Sequence, residues 1–139
     1  MREKKDLGDL GEKIAEKYLK DRGYKILDKN FRYSKLGELD LIARKNEGVI
    51  FFEVKARKKT GPSEFLPEDN ITLDKQKKLV KLSQIWLAKN LLAGSPRFGE
   101  AGRQVNKDIS WQIDILAIEI YRDNSYDIRH TENAIGDFC

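Results

Sequence analysis

With 139 residues, 40% of them hydrophobic and 36% charged, the chain fits one domain, residues 1–139, polar for a globular protein yet able to bury a core. Cys139 is its only cysteine, which excludes an internal disulfide or a thiolate metal cluster, and neither a signal-like apolar start nor a membrane-length apolar run is present, as expected of a cytoplasmic protein with no membrane partner. The net charge of +4 is uneven: residues 119–139 hold five acids and two bases, which leaves about +7 for residues 1–118 and favours an anionic partner, nucleic acid foremost.

Residues 9–22, "DLGEKIAEKYLKDR", place Leu10, Ile14, Ala15, Tyr18 and Leu19 on one helical face, with Asp9 as N-cap and Gly23 as the stop. "YKILDKNFRY" reads as a strand, and "ELDLIAR" and "GVIFFEVKAR" as two more joined by the turn-forming "KNEG", which makes a meander. Thr72 can cap a helix running to about Asn90, with Leu79, Val80, Trp86 and Leu87 on its inward stripe. Residues 92–109, which include Arg97 and Arg103, have no period and several glycines and read as a flexible loop. "SWQIDILAIEI" has the nearly continuous apolar core of a central strand, and "SYDIRH" suits an edge strand. The order predicts an α/β fold, a mixed central sheet flanked by helices. Trp86 and Trp111 fall in apolar periods and read as core. The single histidine, His130, is too weakly framed to be given a catalytic part.

The chemistry concentrates in residues 37–57, "GELDLIARKNEGVIFFEVKAR". Alternation puts Glu38, Asp40 and Ile42 on one face of their strand and Leu39, Leu41 and Ala43 on the other; Glu53, Lys55 and Arg57 share a face of the next. Folded as a hairpin around "KNEG", the strands bring Asp40 near Glu53, and two carboxylates that close need a cation between them. Oxygen ligands suit magnesium or manganese. Lys55 adds an ammonium that could orient a water or meet negative charge on a phosphorane-like transition state, and phosphodiester hydrolysis uses all these parts. The plainer alternative is a salt bridge, such as Asp40 with Lys55.

"GELDLIA" and "FFEVKAR", with "GEKIAEKYL" and its following "GY", "KNFR", the Lys75 region and the strand carrying Asp114, resemble the YraN-type family of predicted endonucleases. That family belongs to the restriction-endonuclease-like superfamily, which also holds archaeal Holliday junction resolvases. The resemblance implies a restriction-endonuclease-like fold, a Mg2+ or Mn2+ cofactor, Asp40 and Glu53 as metal ligands and Lys55 as the catalytic lysine. It further implies Glu12 as an acid completing the metal site and Arg32 as a contact for a backbone phosphate. The plain readings are a solvated charge near a helix start for Glu12 and an ordinary surface arginine for Arg32. Glu38 ranks below Asp40 as a ligand or supporting acid. Arg57, Lys75 and Gln76 are further candidates for nucleic-acid contact, the last two weighed against a capped, solvent-facing first turn. Where the family usually has an arginine two residues before the aspartate, this chain has Gln112, which puts substrate preference in question. The implied function is a nuclease acting on DNA, including branched or repair intermediates. The alternative is a non-catalytic nucleic-acid-binding module, and cutting a junction symmetrically would call for a homodimer.

Overall fold

A computed structural model describes residues 2–61, 66–91 and 109–136. In chain order these form α1 (Arg2–Asp21), β1 (Lys25–Arg32), β2 (Glu38–Lys45), β3 (Gly48–Lys58), a short 3-10 turn (Pro67–Asn70), α2 (Leu73–Leu91), β4 (Trp111–Ile120) and β5 (Tyr126–Thr131). The loop expected at 92–109 lies, apart from Ile109, outside the described residues. The five strands make one sheet in the order β1-β2-β3-β4-β5, antiparallel except for β3 beside β4, which α2 links in parallel. This is the mixed α/β sheet expected from the sequence.

The sheet has a core on each side. Leu39, Ile42, Phe51, Leu79, Trp86 and Ile113 pack together beneath α2, and Ala15, Leu19, Leu41, Phe52, Leu116 and Ile118 beneath α1. Strand β4 is buried on both faces because it lies between β3 and β5 and under both helices, which is why "IDILAI" carries almost no alternation. Thr72 caps α2, its Oγ1 accepting the Lys75 N–H at 3.1 Å. At the end of α1, Gly23 adopts φ 86 and the Tyr24 N–H reaches the Leu19 carbonyl at 3.0 Å, closing the helix with the left-handed residue that glycine supplies at least cost.

Three local readings are corrected. Helix α1 begins at Arg2, not at Asp9: Leu7 packs on the α1-side core and carries the apolar stripe further towards the N-terminus. Glu12 therefore stands mid-helix, away from any terminal dipole. Leu10 is 44% exposed and leaves the stripe, while Gly11 takes the contact: a Cβ there would stand 2.6 Å from the Ala56 Cβ of β3. Leu39, finally, packs with Ile42 on the α2 side rather than with Leu41 and Ala43. Alternation breaks at the level of Asp40, opposite Asn30, whose φ of 52 kinks β1.

Candidate metal and catalytic centre

The last Cα partners of β2 and β3 are Leu41 and Phe52. Beyond them the ladder ends, and the Asp40 carboxylate takes over, its Oδ2 accepting the Val54 N–H at 2.8 Å. A side chain thus satisfies a backbone donor that the departing strand no longer reaches. Asp40 is thereby fixed where the strands part, close to acids on either side of the sheet.

On the α2 side, Asp40 and Glu53 line one pocket of about 430 Å³ together with Glu38, Lys35, Lys75 and Lys78. Glu53 is only 4% exposed. Its Oε1 lies 3.0 Å from Lys75 Nζ and 3.7 Å from Lys55 Nζ, while its Oε2 is buried without a hydrogen-bond partner among the described residues. Burial first, and the Glu53 charge second, push the Asp40 carboxyl up to about 8, against the pull of the Val54 N–H. Burial and the neighbouring Lys75 ammonium lower Lys55. For Lys75 burial acts downwards, yet the Glu53 carboxylate outweighs it and the ammonium is raised.

On the α1 side, one oxygen from each of Glu12, Glu38 and Asp40 lies within 4.8 Å of the other two. Glu12 is raised by burial and by Glu38. The Asn30 amide, with its nitrogen turned to the acids, donates to Glu12 Oε1 at 3.1 Å and to Glu38. Asn30 was missed in the sequence. Its signal was an asparagine inside a strand, a residue poor at pairing but tolerant of the left-handed kink that aims it.

Asp40, Glu53, Lys55, Glu12, Glu38 and Lys75 therefore converge. Arg32 is close but committed, its guanidinium 2.7 Å from Glu38 with 75% of the side chain exposed. Gln76 turns its amide back to the Ile71 carbonyl at 3.3 Å and does not line the pocket. Arg57 pairs with the buried Glu119 at 3.1 Å, in a separate cluster with Lys59, Arg129 and Glu68. Asp114 lies apart from these residues, beneath α1 on β4: fully buried, it accepts from Gln112 at 2.8 Å and from the Asn133 N–H at 2.8 Å, and meets His130 at 2.7 Å. His130 is thus a core histidine paired to a carboxylate and ringed by Tyr18, Tyr24 and Phe52.

Chemically, two carboxyl groups meet at the strand fork, Asp40 raised by burial and by the Glu53 charge, and Glu53 with one oxygen orphaned. The donor set is all oxygen, with no thiolate, and it fits a hard divalent cation such as Mg2+ or Mn2+.

A family model described as "Uncharacterised protein family UPF0102" matches residues 11–118, the stretch that contains the whole centre. The chain is 46% identical over 96 residues to the UPF0102 protein of Caldanaerobacter subterraneus subsp. tengcongensis, covering 68% of this chain and 76% of that one. It is 35% identical over 130 residues to the UPF0102 protein of Alkaliphilus oremlandii, with 94% and 97% covered. The UPF0102 protein of Vibrio campbellii is 34% identical over 134 residues, with 96% and 95% covered. The chain belongs to the UPF0102 family, the YraN-type group whose motifs it carries.

Proposed function

We propose that the protein is a metal-dependent nuclease that hydrolyses DNA phosphodiester bonds, with branched recombination or repair intermediates among its substrates. The observation that carries this reading is the Glu53 Oε2, buried and unpartnered beside an Asp40 whose carboxyl is pushed up to about 8. A divalent ion between the two would relieve their repulsion and take up the orphaned oxygen, and oxygen donors favour Mg2+ or Mn2+. When bound, a divalent ion supplies Lewis-acid charge for a phosphoryl oxygen and a more acidic water.

The chain's own residues do the rest. Asp40 and Glu53 hold the ion from the two parting strands, and Glu12 and Glu38 supply further oxygens from the α1 side. Lys55, whose pKa is lowered by burial and by Lys75, would accept a proton from the attacking water as the neutral amine, or face charge developing on phosphorus as the ammonium. Lys75 meets a phosphate at the pocket mouth, and Arg32 meets one further along the backbone once it leaves Glu38. Two symmetric incisions in a junction would need two such centres and hence a two-fold dimer.

The test is a cleavage panel of single-stranded, duplex, flap and four-way DNA with Mg2+ or Mn2+. Wild type should cut at least one of these shapes, and Lys55→Ala should lose about 100-fold or more in rate. Equal cutting by Lys55→Ala would reject the assignment. Salt-sensitive binding without scission of any substrate would point instead to a nucleic-acid-binding module.

A further inference from the structure

Two ammonium groups, Lys75 at 3.0 Å and Lys55 at 3.7 Å, approach the same Glu53 oxygen, while the other oxygen has no hydrogen-bond partner. Lys75 comes from the first turn of α2, across the pocket from β3, and 40% of its side chain is exposed. Lys78, one turn on and lining the same pocket, pairs with Asp74 at 3.1 Å. Lys75, on a partly exposed stem, is thus the nearer of the two ammonium groups that share this buried carboxylate.

We propose that Lys75 is a built-in counter-ion for Glu53, which gives up its place when a divalent cation binds and then turns its ammonium to the phosphate entering the pocket. This rests on the metal-site reading above.

A buried carboxylate needs a counter-charge at all times, in the resting protein as well as the loaded one. Lysine suits a temporary role: its charge is compact, its stem has four carbons, and its three donors rotate freely, unlike the fixed fork of arginine. Because the side chain is partly exposed, the ion pair is weak enough to be exchanged. A divalent ion places twice the charge against the same oxygens, so attraction to Glu53 becomes repulsion from the ion. The freed ammonium then joins Lys35 and Lys78 around the pocket, where positive charge suits an incoming phosphodiester. Metal binding and substrate binding would thus be coupled through a single side chain, without movement of the backbone.

The test is calorimetric titration of Mn2+ into metal-stripped wild type, Lys75→Met and Lys78→Met, without substrate. Removing the competing ammonium should tighten Mn2+ binding by about five- to tenfold in Lys75→Met, while Lys78→Met stays within about twofold of wild type. In parallel, acylation of individual lysines in wild type, followed by mass spectrometry, should become faster at Lys75 when Mn2+ is added and stay unchanged at Lys78. Equal tightening in both variants would reduce the effect to the general field of the pocket and overturn the proposal. So would weaker binding by Lys75→Met, or Lys75 acylation indifferent to bound Mn2+. In those three outcomes the metal site itself stands; a wild type that binds no Mn2+ would remove the site and the proposal together.

Discussion

At Asp40, burial and the Glu53 carboxylate hold the carboxyl near 8, whereas the same group in the unfolded chain ionises near its ordinary value of 3.8. Below about pH 4 both states keep the proton and the site costs nothing. Between about 4 and 8 the unfolded chain gives up its proton first, so stability is lost as pH rises, and above about 8 the folded chain bears the full cost of the ionised pair. Asparagine at this position keeps an oxygen for the Val54 N–H and removes the charge. In metal-free protein, Asp40→Asn should therefore melt about 5 °C above wild type at pH 9 and close to it at pH 4. A variant no more stable than wild type at pH 9 would contradict this account of the pair. Asp114 presents the opposite case, a fully buried carboxylate with every near donor engaged. His130→Ala removes one of those partners and should lower stability in urea unfolding by about 2–4 kcal/mol, with no loss of metal affinity at Asp40 and Glu53, because neither His130 nor Asp114 touches the residues of that centre.

Among the elements, the contact of α1 with β3 matters most for the centre, since it sets the position of Glu12. Gly11 leaves no room for a side chain: its Cβ would come within 2.6 Å of that of Ala56, and neither atom can swing aside. Gly11→Ala should cost about 1–3 kcal/mol by pushing the helix off the sheet. Gly11→Ala combined with Ala56→Gly should recover most of that loss, measured as unfolding midpoints in a double-mutant cycle; additive losses would mean that the close approach is not the cause. The elements themselves were largely legible in the sequence. Period, turn residues and caps are local signals, and they gave β1 to β5, the Thr72 cap and the Gly23 stop. The start of α1 was not legible, because Leu7 extends the helix through a tertiary contact that a cap-like Asp9 conceals.

Over the whole molecule, what could be read depended on the range of the interaction. Asp40, Glu53 and Lys55 could be brought together from strand period and a hairpin turn alone. Arg57 could not be placed, since its partner Glu119 comes from a strand 62 residues away. The pairing of His130 with Asp114 across β4 and β5 left no local trace either. Asn30 was visible only as an unlikely strand residue, and its role emerges only with α1 folded over it. The described residues contain no helix long and apolar enough to cross a membrane. The fold as a whole positions two carboxylates where two strands part, and a divalent cation between them is the proposed occupant. The most direct measurement is the melting temperature with and without millimolar Mn2+ for wild type and Asp40→Asn. Binding to the folded state alone should raise the wild-type midpoint by several degrees, an effect of about 2.7 kcal/mol when the ion is at 100 times its dissociation constant, and Asp40→Asn should fold but show no such rise. An unchanged wild-type midpoint, or an equal rise in Asp40→Asn, would contradict a metal centre at these residues.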